Sequence, residues 1–176
     1  MEVLLFTGMR SGEVASLRRS DVDLHKQWIT IDGKTWRKIP IPNLLLPTMV
    51  KLCNGRSNDD LLLVHNGSRL LSSTLQRWWK SFKQQCQTVA GAKLDKDNKV
   101  IPGSSLFDDS HTMRNFRSTY LMNLYSAAVS EVGCAVFMGY KRSDKLYRII
   151  ARNEEFLLRM AKILSNYYDA RFGSMI

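Results

Sequence analysis

Three short stretches of the sequence gather side chains suited to handling a phosphate. Thr7-Gly8-Met9-Arg10-Ser11-Gly12-Glu13 sets an arginine at a glycine-flanked helix bend, with a carboxylate three residues on. His111-Thr112-Met113-Arg114 places a histidine and an arginine one predicted helical turn apart, hence on one face. Phe137-Met138-Gly139-Tyr140 is followed by a basic stretch containing Tyr147. Guanidinium groups are planar, permanently charged and able to hold phosphate oxygens bidentately. Breaking a phosphodiester without a metal needs a nucleophile, neutralisation of the charge that builds on the phosphorus oxygens, and a proton for the leaving oxygen. Singly, each stretch also fits a plainer role. An Arg-x-x-Glu is usually a weak surface ion pair, and a lone His-x-x-Arg usually marks a solvated face or a helix start.

Several elements must bring these stretches together. Met1 to Phe6 is apolar and runs straight into the first stretch, where Val14, Leu17 and Val22 predict a helix packed on one face. Trp28–Ile31 and Lys38–Pro42 read as short strands around the turn Asp32-Gly33-Lys34-Thr35. That hairpin presents Lys34 at its tip, with Arg37 and Lys38 as competitors for its role. Leu44–Leu52 reads as a helix, and Leu61–Val64 as a brief strand ended by His65-Asn66-Gly67-Ser68. Ser72 or Ser73 caps a helix through Thr88 that carries Leu75, Trp78, Trp79, Phe82 and Cys86 on one face. We read the Trp78–Trp79–Phe82 cluster as core rather than as a base-stacking platform, and Tyr167-Tyr168 as packing. Lys93–Asp109 is polar, carries Pro102 and Gly103, and reads as a long loop. His111–Tyr125 and Ser130–Met138 follow as helices, and Leu146–Arg171 as one long basic helix or two shorter ones. The expected architecture is a single α+β domain over residues 1–176, mostly helical, with a small antiparallel hairpin. Its abrupt apolar start predicts a C-terminal piece of something longer.

Composition supports a polyanion as partner. The chain has 26 Lys and Arg against 16 Asp and Glu, a formal net charge of +10 and a pI near 9.7, so nucleic acid leads the candidates. The excess is spread along the chain, so charge alone locates no site. Hydrophobic residues make up 44%, enough for a packed core. No apolar run approaches the ~18 residues of a membrane span, and no signal-peptide layout opens the chain. Cys53, Cys86 and Cys134 lie far apart without a CxxC. That argues against a disulfide scaffold or structural zinc and for a reducing, cytoplasmic setting.

Read in order, these stretches resemble the catalytic domain of tyrosine recombinases, the phage-type integrases. That family carries a TGxRxxE box, a lysine on a β-hairpin, an HxxR box, an LGH or LGW box and then a nucleophilic tyrosine. The resemblance implies that Arg10 and Arg114 clamp the scissile phosphate of double-stranded DNA and that Glu13 orients Arg10. His111 would move a proton or bind a phosphate oxygen, Lys34 would be the general acid, and a tyrosine would form a 3′-phosphotyrosine. No cofactor and no metal are implied. Other recombinase protomers on DNA would be partners, with a monomer or weak dimer in its absence, in a prokaryotic cytoplasm near the nucleoid. The resemblance implies that the family's N-terminal DNA-clamping domain would precede these residues, and poor recombination is expected of this piece alone.

Two positions depart from the pattern. Tyr140 stands where the family has His or Trp, and can still donate a hydrogen bond to a phosphate. The ending is most similar to P4-type integrases, and in the ungapped alignment the nucleophile position falls on Ile150, with Tyr147 three residues before it. Either a shorter loop brings Tyr147 into place, or the nucleophile is lost and the chain is a DNA-binding remnant. A type IB topoisomerase, which shares the chemistry, is a third reading.

Overall fold

The computed structural model describes residues 1–32, 36–89, 96, 111–140 and 149–173, without the side chains of 87–89. Helix α1 (Glu2–Thr7) stops where Gly8 turns left-handed, at φ 60°. Glycine is required there on two counts. The left-handed turn disfavours a side chain, and a Cβ would sit 2.4 Å from Cδ1 of the buried Tyr120 ring. Gly8→Ala should therefore cost about 3 kcal/mol in backbone strain and overpacking, lowering the thermal midpoint by roughly 6–12 °C. A drop of less than about 2 °C would show that the turn tolerates a side chain.

Helix α2 (Ser11–Ser16) is shorter than the apolar spacing suggests. Val14, Leu17 and Val22 are all buried as expected, but on different structures. Leu17 is extended and its carbonyl accepts from the Leu62 amide at 2.8 Å, and Val22 lies in strand β1 (Val22–Asp23). Long-range pairing overrides the local helical period. The predicted hairpin is present as β2 (Trp28–Ile31) and β3 (Arg37–Pro40). It starts one residue earlier on its second strand, with Ile29 opposite Ile39 and Ile31 opposite Arg37. The added strand β1 pairs antiparallel with β2, completing a three-stranded sheet in the order β1-β2-β3. Lys34 at the expected tip lies outside the described residues.

After a 3-10 turn at Asn43–Leu45, α3 spans Leu46–Cys53. The strand expected over Leu61–Val64 is displaced. Leu61 only bridges Arg18, while β4 (Val64–His65) pairs with β5 (Ser68–Arg69) across Asn66-Gly67. Helix α4 spans Ser72–Val89. Of its aromatic cluster only Trp79 belongs to the core; Trp78 and Phe82 are each 40% exposed. The expectation of a buried trio is corrected because adjacent residues of a helix point about 100° apart, which turns Trp78 away from the side that buries Trp79.

Helix α5 is Arg114–Ser126, α6 Glu131–Met138 and α7 Glu154–Phe172. The basic tail is thus divided: Asn153 caps α7 by accepting from the Phe156 amide at 2.7 Å, a helix-start signal. Most of the expected loop over 93–109 lies outside the described residues. Two hydrophobic clusters carry the fold. One joins α1, α2, the sheet and α3 through Leu4, Val14, Ile29, Ile39 and Met49. The other joins α5, α6 and α7 through Tyr120, Phe137, Leu157, Leu164 and Tyr168. Phe6 packs against both, edge-on to Tyr168 at 5.1 Å. Tyr168 is buried as expected and accepts from Asn123 Nδ2 at 3.3 Å, and burial raises its phenol well above the ordinary value. The result is a mostly helical α+β domain with small antiparallel sheets. Its α1–α2 corner is brought against α5 and the end of α6.

Candidate functional site

That packing opens a cleft of about 990 Å³ between α4, the α1–α2 corner, the start of α5 and Tyr140. Arg10, Lys80, Lys83, Arg114 and Arg117 line it, and no acidic side chain does among the described residues. All three stretches meet there: Arg10 from the first, His111 and Arg114 from the second, Tyr140 from the third.

Arg10 occupies the residue before α2, in extended conformation. Its backbone amide donates to Glu13 Oε2 at 2.7 Å, and its guanidinium Nη1 donates to Glu13 Oε1 at 3.1 Å. Glu13, at the third position of α2, thus caps the helix start and holds the arginine it was expected to orient. More than half of the Arg10 side chain remains solvent-exposed (55%), so the guanidinium reaches the cleft. Glu13 has a second partner that reading the sequence placed elsewhere. Arg37, the first residue of β3, is 2% exposed and grips the same carboxylate bidentately, Nη1 to Oε1 at 3.0 Å and Nη2 to Oε2 at 2.8 Å. Burial raises the Glu13 carboxyl, but the hydrogen bond from Arg37, the Arg10 amide and the two cations together hold it below the usual value. Arg37 is therefore committed beneath the site and does not compete for the role expected of Lys34.

His111 and Arg114 were expected on one helix face. Instead α5 begins at Arg114, and His111 lies in the non-helical segment before it. The cause is local. The His111 carbonyl is taken by Trp79 Nε1 at 3.0 Å and Lys83 Nζ at 3.1 Å, and Thr112 donates through its amide to Asn115 Oδ1 at 2.8 Å. Both residues still line the cleft. Arg114 is exposed on its rim.

Arg117, one turn further along α5, is the residue that reading the sequence missed. It is half-buried. Its Nη1 donates to the Gly8 carbonyl at 2.7 Å and its Nη2 to the Met138 carbonyl. Its guanidinium lies 5.8 Å over the Tyr140 ring, in cation–π range. Burial and the nearby Arg10 and Arg37 charges lower its pKa, partly offset by Glu13 and Tyr140. Two backbone carbonyls thus fix one face of the guanidinium while it lines the cleft. The spacing of Arg114 and Arg117, three apart at a helix start, was the available signal. Gly139 is left-handed at φ 65° and closes α6, turning the chain so that Tyr140 reaches the same cleft.

Such an arrangement can hold a phosphodiester. It presents restrained guanidiniums, an imidazole and a phenol around one cavity with a net positive lining. Among the described residues no group of three or more His, Cys, Asp or Glu gathers to hold a metal. Tyr147 and Lys34 lie outside the described residues; Ile149 and Ile150 form a short helical turn before α7.

Comparison with known proteins gives the family and the fold. The profile described as the phage integrase family matches residues 1–148. The chain belongs to that family. Among curated relatives, a tyrosine recombinase of Thermosipho africanus (strain TCF52B) is 25% identical over 126 residues, covering 69% of this chain and 38% of the relative. Tyrosine recombinase XerC of Roseiflexus sp. (strain RS-1) is 31% identical over 106 residues, 53% of this chain and 33% of the relative. The chain thus spans about a third of the length of these relatives. The XerA recombinase structure superposes with a TM-score of 0.57 at 15% identity, over 98% of this chain and 55% of that one. The Tn1549 transposon integrase in complex with circular intermediate DNA does so at 0.61 and 16%, over 99% and 55%. The integrase from mycobacterium phage Brujita gives 0.62 and 13%, over 92% and 49%. These likenesses are of fold. No helix among the described residues is long and apolar enough to cross a membrane.

Proposed function

We propose that this chain is the strand-cutting domain of a site-specific DNA recombinase, working through a 3′-phosphotyrosine. The observation that supports it most is the cleft where Arg10 and Arg117, each held by protein partners, stand with His111 and Arg114 in an integrase-family chain. The Tyr147 hydroxyl gives its proton to His111 or to water and attacks the scissile phosphorus, forming the tyrosyl ester as the bond to the 5′-oxygen breaks. Lys34 supplies the proton that the departing 5′-hydroxyl takes. Arg10, Arg114 and Arg117 stabilise the extra negative charge on the non-bridging oxygens, with His111 and Tyr140 donating hydrogen bonds. Because the phosphotyrosine keeps the ester-bond energy, a 5′-hydroxyl reverses the step and rejoins a strand without a nucleotide cofactor. The partner is double-stranded DNA, bound alongside other protomers by a chain that is a monomer or weak dimer without it. Within the family we place it with the P4-type integrases, acting in the cytoplasm.

A second reading rests on Ile150, which takes the nucleophile position in the ungapped register. On that reading the chain only binds DNA. A duplex nicked close to the cleavage point separates the two, since its short 5′-hydroxyl fragment diffuses away and traps the intermediate. A covalent adduct that disappears in Tyr147→Phe is expected. Salt-sensitive DNA binding with no adduct from the unaltered chain would favour the remnant.

A further inference from the structure

We propose that Arg37 is a positioning residue for the cleft: it fixes Glu13 from below and offsets its charge, leaving the Arg10 cation available to a phosphate. This deepens the DNA-cleavage reading and rests on it. Arg37 is among the largest fully buried side chains of the described residues. A buried guanidinium is costly unless its donors are met, and here they are met by two separate elements. Nη1 and Nη2 take both oxygens of Glu13 on α2, while Nε donates to the Phe137 carbonyl at 3.1 Å, near the C-terminal end of α6. Cation-to-carbonyl contact at a helix C-terminus is favourable. The side chain also lies directly under Gly139: a Cβ there would come within 2.8 Å of Arg37 Cδ. One residue of β3 therefore ties together the helix that carries Glu13, the turn that leads to Tyr140 and the hairpin whose expected tip is Lys34.

Charge makes the tie more than structural. Glu13 Oε1 is shared by Arg10 and Arg37. With Arg10 as its sole partner, the carboxylate would cancel the cation facing the cleft. Two guanidiniums on one carboxylate leave a net positive group, and its exposed member is Arg10. The bidentate grip also sets the plane of the carboxylate, and so the direction in which Arg10 is held.

The test measures single-turnover adduct formation on the nicked duplex alongside inorganic phosphate binding, read from the Arg10 side-chain 15N signals. Both use the full chain at a temperature where each variant is folded. Arg37→Met should slow adduct formation about a hundredfold while DNA affinity changes about threefold or less, because one phosphate among many is affected. Arg37→Lys, which keeps the charge but not the bidentate grip, should fall between Met and the parent and stands in if Arg37→Met does not fold. Adding Glu13→Gln to Arg37→Met should restore part of the rate, since the carboxylate that quenches Arg10 is then gone. A purely structural Arg37 predicts no such rescue. Adduct formation by Arg37→Met within twofold of the parent would overturn the proposal, as would that rate in Arg37→Lys where Arg37→Met does not fold. If the parent itself forms no adduct, the cleavage reading fails and phosphate binding decides. Binding about tenfold weaker in Arg37→Met supports the assignment to Arg37, and unchanged binding overturns it.

Discussion

Replacing Arg117 with alanine is expected to slow covalent adduct formation on a nicked duplex about a hundred- to thousandfold, with only a modest loss of DNA affinity. The guanidinium is fixed between the carbonyls of Gly8 and Met138 and lies over Tyr140, so little reorganisation is needed when charge builds on a phosphate beside it. Its setting is half-buried and already crowded by Arg10 and Arg37, an environment that an anion relieves. Electrostatic stabilisation by such preorganised donors acts in the transition state more than on the bound ground state. Affinity is spread over many phosphate contacts, and each accounts for a small share. Arg10→Ala should behave alike. Arg114→Ala should cost less than Arg117→Ala, because Arg114 is exposed on the rim. Side-by-side single-turnover rates for the two α5 variants check this ranking. A larger loss from Arg114→Ala would return the clamp to the rim residue.

The second large effect is on stability. Glu13→Ala should destabilise the domain by about 3–5 kcal/mol, the cost of stranding a buried charge. Arg37 is 2% exposed, and after the substitution it retains the Phe137 carbonyl as its remaining hydrogen-bond acceptor of those described. For a chain of this size the midpoint should fall by roughly 6–20 °C, read by thermal unfolding. Glu13→Gln preserves shape and gives the pH counterpart. The Glu13 carboxyl is held below its usual value in the folded state, so the folded state binds fewer protons there than the unfolded chain. Its contribution is complete above the unfolded value of roughly 4.3 and is lost as pH falls through the depressed folded value. The parent should therefore lose stability below about pH 4.3 more steeply than Glu13→Gln. Parallel acid limbs for the two proteins would contradict the pairing.

The sequence made some parts of this site legible and not others, for physical reasons. Helix α4, with its strong periodicity, α6, an apolar run bounded by the Ser130 cap and Gly139, and the β2–β3 hairpin were readable because their patterns are local. The α2 boundary was not: Leu17 leaves the helix to pair with Leu62, 45 positions on, and no local pattern encodes that partner. Arg10 and Glu13 were readable as a pair because their contact spans three residues. Arg37 was read as a hairpin lysine's rival, since a charged residue on a strand gives no sign of burial until its partner 24 positions away is known. Arg117 was passed over because His111 and Arg114 already satisfied the expected spacing. What sets it apart, anchoring by carbonyls 109 and 21 positions away, belongs to the fold. Trp78 and Phe82 shared a predicted face with Trp79, yet α4 buries only Trp79 against Phe116, 4.9 Å away.

Peptide mapping of the nicked-duplex adduct identifies the nucleophile. After nuclease trimming and proteolysis, one modified peptide is expected, a nucleotide joined through its 3′-phosphate to Tyr147. An adduct on a different residue, or 5′-linked, or none from protein that binds the same duplex, would contradict that assignment.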